Sequence, residues 1–501
     1  MTLPLRPTEA RSLGPVVLVT ASLAFLTAAV VAGVSVRLTA VLVIVATAAA
    51  LVRPAAISWP RLIAVLILII LFIPIRRYTL PASLPFQLEP YRVFVAALVL
   101  GWVGSLLVDP ATRLRRTGFE GPLILIVASS FASVVANPGR VAATSTDVNK
   151  SLMFLLSFVL VFYVIVSVVR RIDNVEYLTK TLVGGGAVVA CAAIVEARTG
   201  FNVFNHLSKV LPFLQDVGDV GGYTRVGTAK MRVFASAQHP IALSAAMVML
   251  IPLALHLSRR YRQRRWIGCA MVLAVASAST ISRTAILMIF VVGLVFLWLR
   301  PRQTVRCLPA LVPALIAVHL LLPGTLGALK QSFMPAGGLV AEQKASPNSV
   351  GSGRLADVGP GIGIWKQSPL FGEGYGTQIV NLSDPTNQTR IFDDQWLGTL
   401  TGTGIFGVVA WFWFFARAIR RFGAEAKEDQ SDRGWLLASI TAGVAAYAVG
   451  MLTFDAFSFI QVTFMLFMLV ALGSALLAER PTPLRVRARS LSRRFAQAPA
   501  G

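Results

Sequence analysis

Charge is scarce in this chain. Only 14% of its 501 residues are Asp, Glu, Lys or Arg, whereas soluble proteins carry roughly 25%. Acidic residues are the scarcer of the two kinds, with 22 Asp and Glu against 46 Lys and Arg, and 56% of the residues are hydrophobic. Long apolar runs recur from residue 15 to residue 478. The composition excludes a large soluble domain and indicates a polytopic membrane protein.

Cysteine is scarce as well. Cys191, Cys269 and Cys307 each lie in or beside an apolar run, and no two of them have the spacing of a metal-ligand pair. They also provide no disulfide framework. The chain lacks an obvious internal repeat, which argues against a transporter built from two inverted halves.

The basic excess gives a net charge of +24. In a soluble protein this charge would suggest a nucleic-acid partner. Here the basic residues lie mostly in short loops between apolar runs, where they act as topology signals. We therefore expect the lipid bilayer, and no nucleic acid, as a partner.

Fourteen apolar segments are candidate membrane helices. They are 15–33, 38–52, 61–75, 92–108, 121–136, 151–169, 178–196, 238–257, 265–280, 283–300, 306–322, 397–416, 434–453 and 456–478. The second and third are short, and a re-entrant pair there would reduce the number to twelve. The first run lacks a clear cleavage site and is expected to be retained as a helix. We predict an all-α, polytopic membrane helix bundle with about 12–14 transmembrane helices.

The distribution of basic residues predicts the orientation of this bundle. With the N-terminus in the cytoplasm, the loops predicted inside hold 28 of the 46 Lys and Arg, including those of "SRRYRQRR" and "RVRARSLSRR". Both termini are then cytoplasmic, and the long polar loops 197–237 and 323–396 lie outside the cytoplasm, where long loops are often functional. We divide the chain into N-terminal membrane helices (1–200), a second membrane region that includes the long loop (201–480) and a basic cytoplasmic tail (481–501).

Two arginines lie beside the predicted outer ends of membrane helices. In "AKMRVFASAQHPIALSAAMVML", Arg232 precedes a helix that His239 and Pro240 open. Arg232 either anchors to lipid headgroups or, with the helix N-terminus, attracts a phosphate. His239 caps a backbone group or binds ligand. In "ASTISRTAILMIF", Arg283 lies in a very short turn and needs a partner, either a protein carboxylate or an anionic ligand.

The long loop contains "SVGSGRLADVGPGIGIWKQSPLFGEGYG". Arg354 follows a Gly-Ser-Gly turn and starts a predicted helix that carries Trp365. The glycines after Pro369 indicate a tight, irregular turn. The stretch lacks the Gly-Lys-Ser/Thr end of a phosphate-binding P-loop.

The stretch "FDDQWLGTLTGTGIFG" places two adjacent acids at the start of a membrane helix. Asp is a favoured helix N-cap, so Asp393 or Asp394 is explained by capping. A helix needs one cap, and the second acid is then a candidate for chemistry. Gln395 and Trp396 follow directly and are candidates to bind sugar or to support the site.

The order of these parts resembles the O-antigen ligase/polymerase family of bacterial polysaccharide membrane proteins. The resemblance rests on an Arg before a helix with an early Pro, a Ser-Arg turn two helices later, a Gly-Arg and a Trp in a long loop, "PLFGEGYG", and a polar pair leading into L-x-x-L-x-x-x-G-x-x-G. It covers roughly residues 220–420, whereas the first 200 residues agree only in being hydrophobic helices. The family is similar to GT-C-type glycosyltransferases, which implies a GT-C-like fold here.

The resemblance implies a glycosyltransferase at the outer face of the bacterial cytoplasmic membrane. Its donor would be a polyprenyl-diphosphate-linked glycan, and its acceptor a sugar hydroxyl. Arg232 and Arg283, with Arg354 as a further candidate, would bind the diphosphate, and His239, Trp365, Gln395 and Trp396 would bind sugar or support the site. A chain-length regulator and a flippase are the partners that the family implies.

The base position of the family falls at Asp393 or Asp394. The ligases are proposed to use a histidine there, and "RIFDDQWL" has none. An acid at this place looks more like the polymerase-type members that handle exopolysaccharide or other cell-envelope glycans.

This chemistry requires no cofactor. Two or three arginines neutralise a diphosphate and stabilise charge on the leaving group, so a metal is not required. Two neighbouring acids in a partly desolvated site hold one proton more tightly than an isolated Asp and act as a coupled pair. An acid pair is also consistent with a divalent-cation site.

Three other classes stay open from the sequence. A transporter or flippase of lipid-linked sugars predicts ionisable residues at mid-membrane, and few lie there, notably Lys180 and His319. A scaffold without activity would tolerate loss of the arginines. A GT-C enzyme that uses polyprenyl-monophosphate sugars usually carries acids in its first outer loop, where "RRYTLPASLPFQLEPYR" has only Glu89.

Overall fold

The computed structural model describes residues 58–81, 88–109, 112–218, 223–224, 231–307, 309, 311–333, 357–377 and 392–478. These residues form 17 α-helices and four two-residue strands. The helices are α1 (Trp59–Phe72), α2 (Pro90–Val108), α3 (Glu120–Ala136), α4 (Pro138–Ala143), α5 (Ser145–Val168), α6 (Ile172–Thr199), α7 (Leu207–Val210), α8 (Pro240–Tyr261), α9 (Arg264–Ser279), α10 (Arg283–Leu299), α11 (Pro301–Cys307), α12 (Leu311–Leu321), α13 (Thr325–Phe333), α14 (Val358–Gln367), α15 (Gln395–Glu428), α16 (Asp432–Gly450) and α17 (Ile460–Ala478).

The strands are β1 (Tyr78–Thr79), β2 (Gln215–Asp216), β3 (Tyr223–Thr224) and β4 (Met231–Arg232). They form two antiparallel pairs. Tyr78 lies opposite Asp216 in the β1–β2 pair, and Tyr223 lies opposite Arg232 in the β3–β4 pair.

The prediction of an all-α polytopic membrane protein is confirmed. Within the described residues, α2, α5, α6, α8, α15 and α17 are long and apolar enough to cross a membrane, and α1, α3 and α10 are shorter apolar helices. Segments 15–33 and 38–52 of the fourteen predicted spans lie outside the described residues. The other twelve each overlap a helix.

Two predicted spans differ from the observed helices. The span predicted at 306–322 is divided into α11 and α12, because the chain carries Pro309 between them and proline does not continue a helix. The span predicted at 397–416 belongs to α15, which is 34 residues long and contains a break at Gly404.

Helix α17 lies at the centre of the bundle, since 94% of the residues in its most apolar 18-residue stretch are buried inside the protein. Aromatic rings pack it against its neighbours. Phe464 meets Phe158 of α5 edge to face at 4.7 Å, and Phe467 stacks on Phe414 of α15 at 5.6 Å between ring centroids. Close ring packing of this kind stabilises helix association where lipid supplies no hydrophobic driving force.

The break in α15 receives the turn that "PLFGEGYG" forms. Gly404 has φ 66° and ψ −164°, a conformation that is almost confined to glycine. The carbonyls of Thr401 and Gly402 accept backbone N–H groups from Glu373 and Gly374 at 2.8 and 3.2 Å. The loop thus supplies hydrogen-bond donors to carbonyls that have lost their partners within the helix at the break.

Glycine is required on both sides of this contact. A Cβ on Gly404 would lie 2.2 Å from the Leu370 carbonyl oxygen, and one on Gly372 would lie 2.5 Å from the Thr401 carbonyl oxygen. Asn137, which follows α3, donates to the Gly372 carbonyl at 2.9 Å. Arg140 of α4 forms an ion pair with Glu373 at 2.8 Å. The glycine pattern of the sequence is therefore explained by close packing of loop on helix.

Charged side chains fasten one end of the bundle, which we call the Arg260 end. Arg260 of α8 bonds Glu176 of α6 at 3.1 Å and Asp432 of α16 at 2.9 Å. Arg433 bonds Glu425 at 2.8 Å. The opposite end, where His239 precedes α8, we call the His239 end.

Candidate active site

The turn of residues 451–459, between α16 and α17, lies at the His239 end and joins several of the candidate residues. We call it the hub turn. The Thr453 hydroxyl donates to the Thr284 hydroxyl at 2.9 Å, next to Arg283. The Phe459 ring stacks on the His239 ring with centroids 5.5 Å apart. The Phe457 N–H donates to the Gln395 side-chain oxygen at 2.8 Å, at the start of α15.

Arg232 and Arg283 lie close together at the His239 end of the bundle. Arg232 Nε donates to the Thr280 carbonyl at 3.0 Å, three residues before Arg283. Both arginines are half-buried, and Arg283 is the first residue of α10. The two candidates for diphosphate binding are therefore neighbours across a short turn.

A buried carboxylate holds the segment that follows Arg232. Glu196, near the end of α6, is 8% exposed. It accepts the N–H groups of Phe234 and Ala235 at 3.4 and 2.8 Å. Ala235 has a φ of +46°, a value that a non-glycine residue adopts only when its surroundings enforce it. This anchor sets the path of the chain from Arg232 to His239.

His239 is the N-cap of α8. Its Nδ1 accepts the Ile241 N–H at 3.1 Å. Burial, and next the charge of Arg232, lower the pKa of His239 to about 4. The ring is therefore neutral at pH 7, and because Nδ1 accepts a hydrogen bond, Nε2 carries the proton. The sequence left capping and ligand binding open, and capping is what the structure shows.

The two adjacent acids, Asp393 and Asp394, differ in their contacts and exposure. Asp394 is the N-cap of α15, and its Oδ1 accepts the N–H groups of Trp396 and Leu397 at 2.8 and 3.2 Å. Asp393 is exposed. Helix capping thus explains the presence of Asp394. It does not explain the presence of Asp393.

Gln395 and Trp396 pack the start of α15 against the hub turn and α16. Gln395 is 7% exposed, and its N–H donates to the Met451 carbonyl at 2.8 Å. The Trp396 indole donates to the Ala448 carbonyl at 3.0 Å. Both side chains thus hold the start of α15 against these neighbours.

The remaining candidates lie apart from these contacts. Trp365 is on α14, as the sequence predicted, and its indole donates within the same loop to the Pro369 carbonyl at 3.0 Å. Helix α14 reaches α15 through Gly361, which packs against Leu397. Arg354 lies outside the described residues.

Sequence reasoning missed three residues around the hub turn. Asp455 is partly buried and accepts a hydrogen bond from Ser458. Burial raises the pKa of Asp455, with Asp393 acting in the same direction, while Ser458 and Arg76 oppose the rise. Burial and the nearby Asp455 also raise the pKa of Tyr375.

Asp455, Arg76 and Tyr375 had weak signals in the sequence. Asp455 belongs to a short turn between two apolar runs. A charged residue in such a turn needs a partner, as Arg283 does. Tyr375 is part of "PLFGEGYG", in which the glycines alone were considered. Arg76 lies in the N-terminal third, which the family resemblance did not cover.

The hub turn thus brings groups of opposite charge to one end of the bundle. Arg232 and Arg283 adjoin it through Thr280 and Thr284, and Asp393 lies near it through Asp455. Such an arrangement is suited to bind an anion beside a group that accepts a proton. Among the described residues, no group of three or more His, Cys, Asp and Glu is placed to hold a metal ion.

A comparison with known protein families matches part of this region. Residues 268–412 match the family model described as O-antigen ligase. The match contains Arg283, Trp365, Asp393 and Asp394, whereas Arg232, His239 and the hub turn lie outside it. No curated protein matches the chain. The resemblance inferred from the sequence is confirmed over the matched region, and the chain carries an O-antigen ligase-like segment within an all-α polytopic membrane protein.

Proposed function

We propose that this protein is a GT-C-like membrane glycosyltransferase. It polymerises or ligates polyprenyl-diphosphate-linked oligosaccharides into cell-surface polysaccharide, at the outer face of the bacterial cytoplasmic membrane. The family match supports a membrane glycan ligase or polymerase in general. The observation that carries the finer proposal is the hub turn, because it joins the segment of Arg283 to the segment of Asp393.

The two ends of the bundle support the proposed orientation. The Arg260 end carries the basic stretch of residues 259–265, which the positive-inside rule places in the cytoplasm. Helix α8 runs from His239 to this stretch. The hub turn at the other end then faces outward, where lipid-linked glycans are assembled.

In this proposal, Arg232 and Arg283 bind the diphosphate of the donor, with Arg354 as a further candidate. An arginine at the first position of α10 adds its charge to the positive end of the helix dipole, which favours an anion there. Both guanidinium groups stabilise the negative charge that grows on the diphosphate as it leaves. This charge stabilisation needs no metal ion.

Asp393 is the proposed base. The acceptor hydroxyl oxygen attacks the anomeric carbon of the donor sugar, the bond from that carbon to the phosphate oxygen breaks, and the lipid diphosphate leaves. Asp393 takes the hydroxyl proton, a role that typically contributes about 10²–10⁴-fold to the rate. Asp455 lies close enough for Asp393 to raise the pKa of its carboxyl, because two close carboxylates resist being charged together. Asp394 positions Asp393 by capping α15.

Polymerisation is favoured over ligation, because an acid stands where the ligases of the family are proposed to use a histidine as base. A chain-length regulator and a flippase are expected partners on the same grounds. A transporter or flippase of lipid-linked sugars is the alternative.

Glycan profiles of cells distinguish these functions. A deletion strain is complemented with wild type, Arg232→Ala, Arg283→Ala or Asp393→Asn at matched protein levels, and lipid-linked and surface glycans are sized. Arg171→Ala is the control, because Arg171 is 76% exposed at the Arg260 end.

A polymerase predicts loss of long chains and accumulation of single lipid-linked repeat units in the three site variants only. Full-length chains left on the lipid carrier would indicate a ligase. Unchanged glycans in every variant would refute the proposed function and leave transport or scaffolding.

A further inference from the structure

Arg76 stands at the His239 end, between α1 and β1, in a part of the chain to which no role has been given. It is exposed, and its φ of +68° is unusual for a residue with a side chain. Such backbone conformations persist where the surroundings enforce them, and they cluster at ligand sites.

A buried ion pair enforces this conformation. The Arg76 N–H donates to Glu89 Oε1 at 2.7 Å. Glu89 is 2% exposed, and its other oxygen pairs with Arg92 Nε at 2.7 Å. The backbone of Arg76 is therefore held from beneath by a carboxylate that is itself fixed, while the side chain stays outside.

The neighbouring arginine takes the structural role instead. Arg77 is 7% exposed and forms an ion pair with Asp216 at 2.9 Å. Its carbonyl accepts the Val217 N–H at 2.9 Å, next to the β1–β2 pair. Of two consecutive arginines, the second joins this loop to the segment of β2, and the first is available to a ligand.

The same loop connects Arg76 to the proposed site. β2, which lies beside Arg77, and β4, which contains Arg232, belong to the same connection between α6 and α8. From the other side, Arg76 is an electrostatic neighbour of Asp455 in the hub turn. Among the described residues, the Arg76 guanidinium has no hydrogen-bond or ion-pair partner.

We propose that Arg76 is a substrate-binding residue that takes an anionic oxygen of the lipid-linked glycan, together with Arg232 and Arg283. This inference rests on the proposed function. The anionic oxygen belongs either to the diphosphate or to an acidic group of the glycan. The N-terminal helices then complete the site, beyond the region that matches the family.

The test uses Arg76→Gly. Glycine adopts a positive φ without strain, so this variant removes the side chain and leaves the fold at least as stable as wild type. Arg76→Lys keeps a charge, and Arg171→Ala controls for loss of an exposed arginine elsewhere. Arg283→Ala reports on the proposed function itself.

Binding is measured with purified full-length protein and two probes. One probe is undecaprenyl diphosphate without sugar, and the other is the acidic oligosaccharide released from the surface polysaccharide. Loss of one charge-assisted hydrogen bond predicts about a tenfold or greater loss of affinity for one probe in Arg76→Gly. Arg76→Lys should restore part of it, and apparent Tm should not fall.

The outcomes separate the inference from the function on which it rests. Weaker binding of undecaprenyl diphosphate assigns Arg76 to the diphosphate, and weaker binding of the oligosaccharide alone assigns it to the glycan. Wild-type affinity of Arg76→Gly for both probes, with a loss in Arg283→Ala, overturns the inference and leaves the proposed function intact. Wild-type affinity in Arg283→Ala as well overturns both.

Discussion

Replacing Gly404 by alanine should disrupt the contact between the "PLFGEGYG" turn and the broken helix α15. At φ 66° and ψ −164°, a side chain costs about 1–3 kcal/mol in backbone strain alone. The new Cβ would also lie 2.2 Å from the Leu370 carbonyl oxygen and 2.7 Å from the Phe371 nitrogen. These atoms belong to the backbone, so a change of side-chain rotamer cannot relieve the overlap.

The loop must therefore move away from the helix. This movement breaks the hydrogen bond from the Ile405 N–H to the Pro369 carbonyl, 3.0 Å long, which contributes about 1 kcal/mol. The total loss on Gly404→Ala is on the order of 2–4 kcal/mol. The displaced loop also carries Tyr375, which lies near Asp455, so glycan transfer should fall together with stability.

Gly293 provides the matched control. It lies within α10, and a Cβ there would meet nothing within 4 Å. Gly293→Ala should be neutral or stabilising by up to about 1 kcal/mol, because alanine favours helix. Thermal unfolding of the purified proteins in detergent, followed by tryptophan fluorescence, compares the two. An apparent Tm of Gly404→Ala equal to that of wild type would refute the account of the helix break.

Three further predictions concern stability at the His239 end. Asp394→Ala should cost about 1 kcal/mol and Asp394→Asn little, because asparagine caps a helix as well as aspartate does; denaturant or thermal unfolding of both variants measures the difference. The pKa of His239 is lowered to about 4 in the folded protein, so as pH falls below about 6.5 the unfolded chain takes up the proton first and stability declines. His239→Asn, which can still accept the Ile241 N–H, should reduce the fall in apparent Tm between pH 7.5 and 4.5, and an unchanged fall would show that His239 does not cause it. Arg140→Ala should cost at most about 1 kcal/mol, since the ion pair with Glu373 is partly exposed, and a loss as large as that of Gly404→Ala would contradict this assignment.

The positions of most helices could be predicted from the sequence, because an apolar run of sufficient length has few other stable forms in a bilayer. The break in α15 could not. Gly404 lies in an apolar stretch, and a glycine there is equally compatible with an intact helix. Only its contact with Leu370, a residue more than thirty positions earlier in the chain, distinguishes the two.

The candidate site was predicted in part for a similar reason. Arg232, Arg283 and His239 stood out because each lies at the end of an apolar run, and the structure places them near one another. The backbone conformation at the start of α15 makes Asp394, and not Asp393, the N-cap. Two adjacent aspartates in the sequence do not specify which of them will cap the helix. Asp455 joins the group only through tertiary packing of the hub turn.

The central claim is that glycosyl transfer occurs at the hub turn, with Asp393 as base. It is tested most directly by the transfer rate of purified protein on lipid-linked repeat units extracted from the deletion strain. Asp393→Asn should slow transfer by about 10²–10⁴-fold, Arg283→Ala should also slow it, and Asp394→Asn should remain within a few-fold of wild type. Wild-type rates in both Asp393→Asn and Arg283→Ala would contradict the account.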